Sequence, residues 1–280
     1  MTSPRILLKA WNMRPKKSLG QNFLVNETLA ETIVKRAVIT AQDPVVEIGA
    51  GLGAMTIPAA RRAARLIAVE KDSQLANLLR TELAVQQLTH VEVINQDILT
   101  FHYRDHIQAD RPAVVIGNLP YNLSSQIVVH LIASRDVVQC ALLMLQKEMA
   151  QRLIASPGNR DYGRLSVMLQ YCAEVEVVAD APAHMFYPRP KVDSQVIRAT
   201  FRKRIEHPAE DEALLSRVVK AGFSQRRKTL RNALTGNILK ADRGQVEAWL
   251  VEAAIDPQRR AETLSVAEFV RLANLISRAS

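Results

Sequence analysis

Cysteine and long apolar runs are both scarce in this chain. Cys140 and Cys172 are its only cysteines, and we expect both to be buried thiols. Two cysteines are too few for a zinc cluster or a disulfide framework. No apolar run reaches the roughly 18 residues that a membrane span needs. The sequence therefore excludes a membrane-spanning protein and a small disulfide-stapled scaffold, and it predicts no metal site.

The N-terminus lacks the features of a secretory signal. Residues 1–17 are basic, but they contain neither an uninterrupted apolar core nor an Ala-x-Ala cleavage site. We therefore expect a protein of the reducing cytoplasm. Nothing in the sequence demands a dimer, and we expect a monomer.

Acidic residues are missing from two stretches of the chain. The first acidic residue is Glu27, and a second acid-free stretch runs from Ala213 to Ala241. Lysine and arginine total 37 against 28 acidic residues, which gives a formal net charge of +9. This balance favours a polyanionic partner such as nucleic acid, or an anionic membrane surface. A solvated helix face normally mixes charge signs, so the second stretch is the better candidate for binding.

Strand patterns alternate with helical patterns as far as Arg202, in a chain of 280 residues with 48% apolar residues. The predicted strands are Pro44–Ile48, Leu66–Glu70, Val91–Ile94, Ala113–Gly117, Val137–Leu145 and Lys191–Arg202. Helices are predicted after Gly53, from a cap at Asp72 to Gln86, and over Ser124–Ala133. This alternation predicts an α/β fold with a mostly parallel sheet.

Beyond Pro208 only helical periodicity remains. The predicted helices are Glu210–Phe223, Arg226–Leu234, Arg243–Ala253 and Val266–Arg278. We therefore predict a flexible basic arm over residues 1–15, an α/β domain over 16–206 and a small helical domain over 207–280. The arm is either an RNA-contacting segment or plain disorder.

Three successive predicted strands end in residues suited to a nucleoside. The first leads into Gly49-Ala50-Gly51-Leu52-Gly53, where glycines allow close approach to the backbone. Glu70 closes the second strand and can accept hydrogen bonds from ribose hydroxyls, and Asp97 follows the third. Singly, Glu70 is equally well a surface charge and Asp97 a turn cap. Together they predict a cofactor site, in which S-adenosylmethionine fits the short glycine loop better than NAD does.

The fourth predicted strand ends in Asn118-Leu119-Pro120-Tyr121, the most specific motif of the chain. An exocyclic adenine amine is a poor nucleophile because its lone pair is delocalised into the ring. The Asn118 side-chain oxygen and the Leu119 carbonyl can accept its N–H groups, while Pro120 fixes the turn. Tyr121 offers a ring on which a base can stack. The motif therefore predicts adenine N-methylation, against the alternative of a structural turn with a core tyrosine.

These motifs resemble those of the KsgA-type ribosomal RNA adenine N6,N6-dimethyltransferases of bacteria. The resemblance runs from about Lys16 to the C-terminus, and includes the stretches Lys17–Leu24, Val46–Gly53, Asn118–Asn122, Gln146–Glu148, Tyr162–Ser166, Phe186–Ser194 and Phe223–Asn232. One departure is Ala50, where many relatives have proline. The resemblance implies a Rossmann-like class I methyltransferase sheet with one antiparallel strand, followed by a C-terminal helical domain.

The resemblance also implies a role for each matched position. It implies that S-adenosylmethionine is bound by Asn22, Leu24, Gly49, Gly51, Glu70, Lys71, Asp97, Ile98 and Asn118. It implies a catalytic group of Asn118, Leu119, Pro120, Tyr121 and Phe186, with Phe186 stacking on the target adenine opposite Tyr121. The implied substrate is two adjacent adenines in the 3′-terminal hairpin of 16S rRNA, within an immature small subunit. From their charge we expect Lys16, Lys17, Arg226, Arg227, Lys228 and Arg231 to bind RNA phosphates.

Two other classes of function remain open on the sequence. One is a related enzyme acting on large-subunit RNA or on DNA; the basic stretch from Gln225 to Leu230 argues against the former and Leu119 against the latter. The other is an RNA-binding assembly factor whose methylation is secondary or lost. The intact Asn118–Tyr121 tetrad argues against loss of the chemistry.

Overall fold

A computed structural model describes residues 3–279, and the chain divides into two compact units. The first consists of the chain up to Ala150 together with Ala173–Lys203, and the second of Gln151–Cys172 together with the chain from Arg204 onward. Met1 and Thr2 of the predicted arm, and Ser280 of the predicted helical domain, lie outside the described residues.

The strands of the described residues all belong to the first unit. They are β1 (Phe23–Leu24), β2 (Pro44–Ile48), β3 (Arg65–Glu70), β4 (Val91–Asn95), β5 (Ala113–Asn118), β6 (Val138–Gln146), β7 (Ala173–Ala181), β8 (Phe186–Tyr187) and β9 (Ser194–Phe201). The short strands β1 and β8 pair with each other, and the other strands form one sheet.

Helices fill most of the remaining chain. They are α1 (Pro4–Ala10), α2 (Glu27–Arg36), α3 (Thr56–Ala60), α4 (Ser73–Val85), α5 (Ser124–Ala133), α6 (Lys147–Ile154), α7 (Arg164–Cys172), α8 (Glu212–Gly222), α9 (Leu230–Leu234), α10 (Arg243–Glu252) and α11 (Val266–Ala279). Within residues 3–279, none of them combines the length and the apolar character needed to cross a membrane.

The main sheet has the strand order β4-β3-β2-β5-β6-β9-β7. The strands from β4 to β6 pair in parallel, and β9 is antiparallel to both of its neighbours. The prediction of a mostly parallel sheet with one antiparallel strand is thus confirmed. Because the order reverses at β2, the carboxyl ends of β2 and β5 border the crevice in which such sheets bind ligands.

The central strands are continuous apolar runs because both of their faces are covered. Val45 and Val46 of β2 are fully buried, as are Val115 and Ile116 of β5. Each such side chain contributes about 1.5–3 kcal/mol by leaving water. This burial fixes the strands whose ends carry the site, so the polar residues beyond them emerge at one edge of the sheet.

Strand β7 was not predicted from the sequence. Its residues alternate between small or apolar side chains and the charged Glu174, Glu176 and Asp180, which is the period of a strand with one exposed face. Its only partner is β9, so β7 is the edge strand of the sheet. The alternation was available in the sequence as a signal and was overlooked.

The expectation of a flexible arm over residues 1–15 is wrong for residues 4–10, which form α1. Pro4 lies in the first turn, where its missing N–H costs nothing. Leu7 and Leu8 are buried in a cluster whose other buried members are Phe23, Leu52, Leu75 and Leu78. The arm is therefore docked because two adjacent leucines can leave water there.

The segment 151–172, predicted as part of the first domain, belongs to the second unit. Within it, Ser166 Oγ donates to the Arg152 carbonyl at 2.6 Å, and Gln170 Nε2 donates to the Leu153 carbonyl at 2.9 Å. Tyr171 then joins it to the later helices, since its hydroxyl donates to Glu212 and accepts from the Ala209 N–H. These long-range hydrogen bonds explain why the segment groups with residues that follow it by about forty positions.

The predicted helix over Arg226–Leu234 is shorter in the structure and begins at Leu230. The Leu230 N–H donates to the Arg259 carbonyl at 2.7 Å, and the Arg231 N–H to the Pro257 carbonyl at 3.3 Å. Because these amides bond to a distant loop, they cannot continue a helix from residue 226. Arg226, Arg227 and Lys228 consequently lie in the turn before α9.

Candidate active site

The loop after β2 forms one wall of a cleft at the carboxyl edge of the sheet. Gly49 and Gly51 have φ values of +68° and +55°, which favour glycine because a Cβ would be strained there. The Gly49 N–H donates to the Val69 carbonyl at 2.8 Å, and the Gly51 N–H donates to Glu70 Oε2 at 2.8 Å. The loop is therefore fixed to β3, with no side chain at either glycine to fill the cleft.

Glu70 ends β3 and lies in the wall of the cleft with 7% of its surface exposed. Its Oε1 accepts from the Asp72 N–H at 2.8 Å, while its Oε2 holds Gly51. Burial raises the pKa of Glu70, and the two N–H donors oppose that shift. Because each carboxylate oxygen has two acceptor sites, one on each oxygen remains available to a pair of hydroxyls.

Asp97 follows β4 and is paired with Lys71, the residue after Glu70. Lys71 Nζ lies 2.7 Å from Asp97 Oδ2, and this ammonium group holds the pKa of Asp97 below its usual range. Asp97 Oδ1 accepts from the Leu99 N–H at 3.0 Å and so caps the short turn that follows. The capping role considered from the sequence is thus real, and it coexists with a place in the lining of the cleft.

Asn118 stands at the end of β5, opposite the segment that leads into β1. Its Nδ2 donates to the Asn22 carbonyl at 2.8 Å, and Asn22 Nδ2 donates in turn to the Gly20 carbonyl at 3.1 Å. This bond fixes the orientation of the Asn118 amide. Asn118 Oδ1 has no partner within residues 3–279, and the residue lines the cleft, so an oriented acceptor faces that space.

Tyr121 is held at the rim of the cleft by Ser194, the first residue of β9. The two side-chain oxygens are 3.1 Å apart. Burial raises the pKa of Tyr121, so the phenol stays neutral at physiological pH. The ring therefore has a fixed position two residues after Leu119 in the strand-end turn.

A model of the family described as ribosomal RNA adenine dimethylase matches residues 12–278. The chain belongs to the ribosomal RNA adenine dimethylase family. As a family member it is a methyltransferase acting on adenine in ribosomal RNA.

Relatives of this adenine dimethylase match along its whole length. It is 50% identical over 277 residues to a ribosomal RNA small subunit methyltransferase A from Desulforapulum autotrophicum, which covers 99% of this chain and 97% of the relative. A protein of the same name from Geobacillus sp. is 40% identical over 278 residues, covering 97% and 95%.

Solved structures share its fold. A dimethyladenosine transferase from Plasmodium falciparum aligns with a TM-score of 0.75 at 24% identity, covering 89% of this chain and 95% of that one. The 23S rRNA methyltransferase ErmE aligns with a TM-score of 0.68 at 27% identity, covering 91% and 99%.

The structure of this dimethylase brings almost all predicted site residues to one cleft. The residues in its lining are Asn22, Leu24, Gly49, Gly51, Glu70, Lys71, Asp97, Ile98, Asn118, Leu119, Pro120 and Tyr121. Phe186 is separate from them. It is 4% exposed and packs in the hydrophobic core that includes Leu24 and Val196, and it does not contribute to the lining of this cleft.

Two acidic residues of the dimethylase site were not recognised as part of it from the sequence. Glu47 lines the cleft with 1% exposure, and its Oε2 has no hydrogen-bond partner within residues 3–279. Asp72, predicted only as a cap, also accepts from Gln21 at 3.0 Å and pairs with Lys16 at 2.9 Å. An acidic side chain in an apolar strand next to a glycine loop was the available signal for Glu47.

The predicted RNA-binding cations differ in how far they are engaged within the chain. Lys16 pairs with Asp72, Arg226 with Glu262 at 3.3 Å, and Arg231 with Glu247 at 3.4 Å. Lys17, Arg227 and Lys228 are exposed, and their side chains have no partner among the described residues. These three remain available to an anionic partner.

Proposed function

We propose that the chain transfers methyl groups from S-adenosylmethionine to N6 of two adjacent adenines in the 3′-terminal hairpin of 16S rRNA, within an immature small ribosomal subunit. Two methyl groups go to each base. The observation that carries the proposal is Asn118, whose anchored amide presents Oδ1 to the same cleft as the Gly49 loop and Glu70. The small-subunit methyltransferase names of the relatives support the substrate.

The residues of the cleft fit the chemistry of S-adenosylmethionine. When bound, this cofactor supplies an electrophilic methyl group on a sulfonium ion. Glu70 retains one acceptor site on each carboxylate oxygen for the ribose hydroxyls. Asp97, kept ionised by Lys71, accepts from the adenine amine, and Ile98 lies against the ring. Asn22, Leu24 and the glycine loop hold the methionine portion.

Asn118 and Leu119 act on the target amine in this proposal. The Asn118 Oδ1 and the Leu119 carbonyl accept its two N–H groups, which favours a tetrahedral nitrogen with a localised lone pair. Pro120 fixes the turn between the acceptors and Tyr121, whose ring stacks on the base. The amine loses its proton after the methyl group has been transferred, so catalysis needs positioning and electrostatics rather than a strong base.

Stacking of Phe186 on the other face of the base is the part of the proposal with a structural condition attached. Its ring is 4% exposed, so it must be uncovered when RNA binds. Phe186 directly follows the turn that positions Met185, and its strand β8 pairs with β1, which carries Leu24. A shift of these two short strands is the motion that the stacking requires.

The RNA-binding part of the proposal assigns the second unit to the substrate. Arg227 and Lys228 are its unpaired cations in the turn before α9, and Arg226 and Arg231 add positive charge although each has an acidic partner. In the first unit, Lys17 is free and Lys16 is engaged by Asp72. Such cations bind phosphates without reading sequence, so base choice belongs to the Asn118–Tyr121 pocket.

An Asn118→Ala variant tests the chemistry separately from binding. We expect it to bind S-adenosylmethionine and small subunits nearly as the wild type does, and to lose about 10²-fold or more in methyl transfer. Transfer is measured by mass spectrometry of adenines in small subunits with labelled cofactor. Asn77→Ala, at an exposed position of α4, is the matched control. A normal rate for Asn118→Ala would overturn the assignment.

The same assay separates the other candidate functions. Small subunits, free large-subunit RNA and duplex DNA are offered in parallel, since the fold is shared with a 23S rRNA methyltransferase. The proposal requires transfer to small subunits alone. Binding of small subunits without any transfer would instead identify an assembly factor.

A further inference from the structure

A second cleft opens beside the end of β6 and the beginning of β9. Its lining includes Gln146, Lys147, Arg189, Lys191, Val192 and Asp193. None of these residues belongs to the cofactor cleft. All of them lie in the first unit.

The wall of this second cleft is fixed by backbone contacts. The Lys147 N–H donates to the Asp193 carbonyl at 3.0 Å, and Asp193 Oδ1 accepts from the Ala183 N–H at 2.9 Å. Ser194 pairs with Gln146 on one side and with Ala181 on the other. The segment that carries the cleft is therefore held against two strands of the sheet.

Three cations of the second cleft lack partners. Lys147, Arg189 and Lys191 are exposed, and their side chains make no hydrogen bond or ion pair within residues 3–279. The acidic residues of the lining, Glu148 and Asp193, both have other partners. The cleft therefore carries uncompensated positive charge, which suits phosphate oxygens.

The same cleft has an apolar side. Val192 is 47% exposed and stands between Lys191 and Asp193, next to Pro190 in the lining. A valine in such a position offers a surface to a sugar or a base. Phosphate-binding cations beside an apolar contact are the chemistry of a nucleotide site rather than of a free-anion site.

The second cleft shares a wall with the first. Ser194, which follows Asp193, bonds to the Tyr121 hydroxyl at 3.1 Å. Tyr121 lies in the lining of the cofactor cleft, and Asp193 in that of the second. A nucleotide stacked on Tyr121 therefore has its chain neighbour directed along the segment from Arg189 to Asp193.

We propose that the second cleft binds the nucleotide adjacent to the target adenine, with Lys147, Arg189 and Lys191 on its phosphates and Val192 against its sugar or base. This rests on the proposed function, in which two adjacent adenines react. The partner adenine occupies the second cleft while the first is methylated. The cleft thus sets the register of the RNA strand over the Asn118 acceptor.

The test removes the three cations together, as Lys147→Ala/Arg189→Ala/Lys191→Ala. The matched control, Lys35→Ala/Arg62→Ala/Arg111→Ala, removes three exposed cations of the same unit whose side chains have no partner in the described chain. Circular dichroism and the affinity for S-adenosylmethionine, measured by calorimetry, are expected to match the wild type in both variants.

Methylation of small subunits is the first readout. We expect kcat/KM to fall about tenfold for each cation removed from the cleft, and the plot of log affinity against log salt to flatten by about 0.7 per contact, as for a single strand. Val192→Ser is expected to lower kcat/KM without changing that slope. Equal kcat/KM and equal slopes in the cleft triple variant and the control would overturn the proposal.

Binding of a fluorescent oligoadenylate, followed by anisotropy, is a readout that does not depend on turnover. We expect weaker binding for the cleft triple variant than for the control. If the wild type transfers no methyl groups, the proposed function fails, and the same comparison of oligoadenylate binding still decides whether the cleft is a nucleotide site. Equal binding by both triple variants rejects it.

Discussion

At the scale of single residues, Glu47 has the environment least suited to a charge. It sits in β2 with 1% exposure, and its Oε2 has no hydrogen-bond partner in the described chain. Burial raises the pKa of Glu47 from 4.5 to about 8, and the nearby Glu70 adds to the shift. Glu47 is therefore mostly protonated in the folded protein at neutral pH.

This protonation makes stability depend on pH. Between about pH 4.5 and 8 the folded chain binds more protons at Glu47 than the unfolded chain does, so the free energy of unfolding falls as pH rises through that window. The slope from one group approaches about 1.4 kcal/mol per pH unit. We expect Glu47→Gln to remove this slope, as measured by urea unfolding at a series of pH values.

Glu31→Gln, at an exposed position of α2, is the control for the loss of one carboxylate. It is expected to leave the pH dependence of unfolding as in the wild type. Parallel pH profiles for Glu47→Gln and the wild type would show that Glu47 does not titrate in this range.

At the scale of secondary-structure elements, α1 shows how a short helix is stabilised by docking. Seven residues are too few for a stable helix in water, so its stability comes from the apolar face that it buries. Leu7 and Leu8 supply that face, whereas Ile6 is 61% exposed. Pro4 lies in the lining of the cofactor cleft, so the docked helix also borders the site.

Truncation of the buried leucine should loosen this helix. We expect Leu8→Ala to lower the free energy of unfolding by about 2 kcal/mol, and Ile6→Ala to change it by less than about 0.5 kcal/mol. Chemical denaturation measures both values. Similar losses in the two variants would mean that the side chain at position 8 gains nothing from the cluster.

At the scale of the whole molecule, the formal charge of +9 overstates the number of cations that a polyanion meets. Several arginines are held by acidic side chains, among them Arg226, Arg231 and Arg259. Arg227 and Lys228 are exposed without side-chain partners in the part of the chain described. The distribution of unpaired charge, rather than its sum, indicates where phosphates bind.

The paired and unpaired cations should differ in salt dependence. We expect Arg227→Ala/Lys228→Ala to reduce the slope of log affinity for ribosomal RNA against log salt by about 1.4–1.8, because two phosphate contacts are lost. Arg243→Ala/Arg260→Ala removes two other exposed cations of the second unit and is the control. Filter binding at several salt concentrations gives the slopes, and identical slopes for the two double variants would contradict this assignment.

The sequence alone determined the features that depend on a few neighbouring residues. The strand that leads into Gly49, the caps at Asp72 and Asp211, and the Asn118–Tyr121 tetrad are local patterns, and the structure has each of them at the expected position. The carboxyl ends of parallel strands meet at one edge, so the cofactor cleft followed from the predicted sheet. Tertiary structure decided what depends on distant partners: the burial of Glu47 and Phe186, the docking of α1, the membership of residues 151–172 in the second unit, and the choice between a paired and a free cation. Desolvation and long-range hydrogen bonds set these properties, and neither is encoded within one segment of the chain.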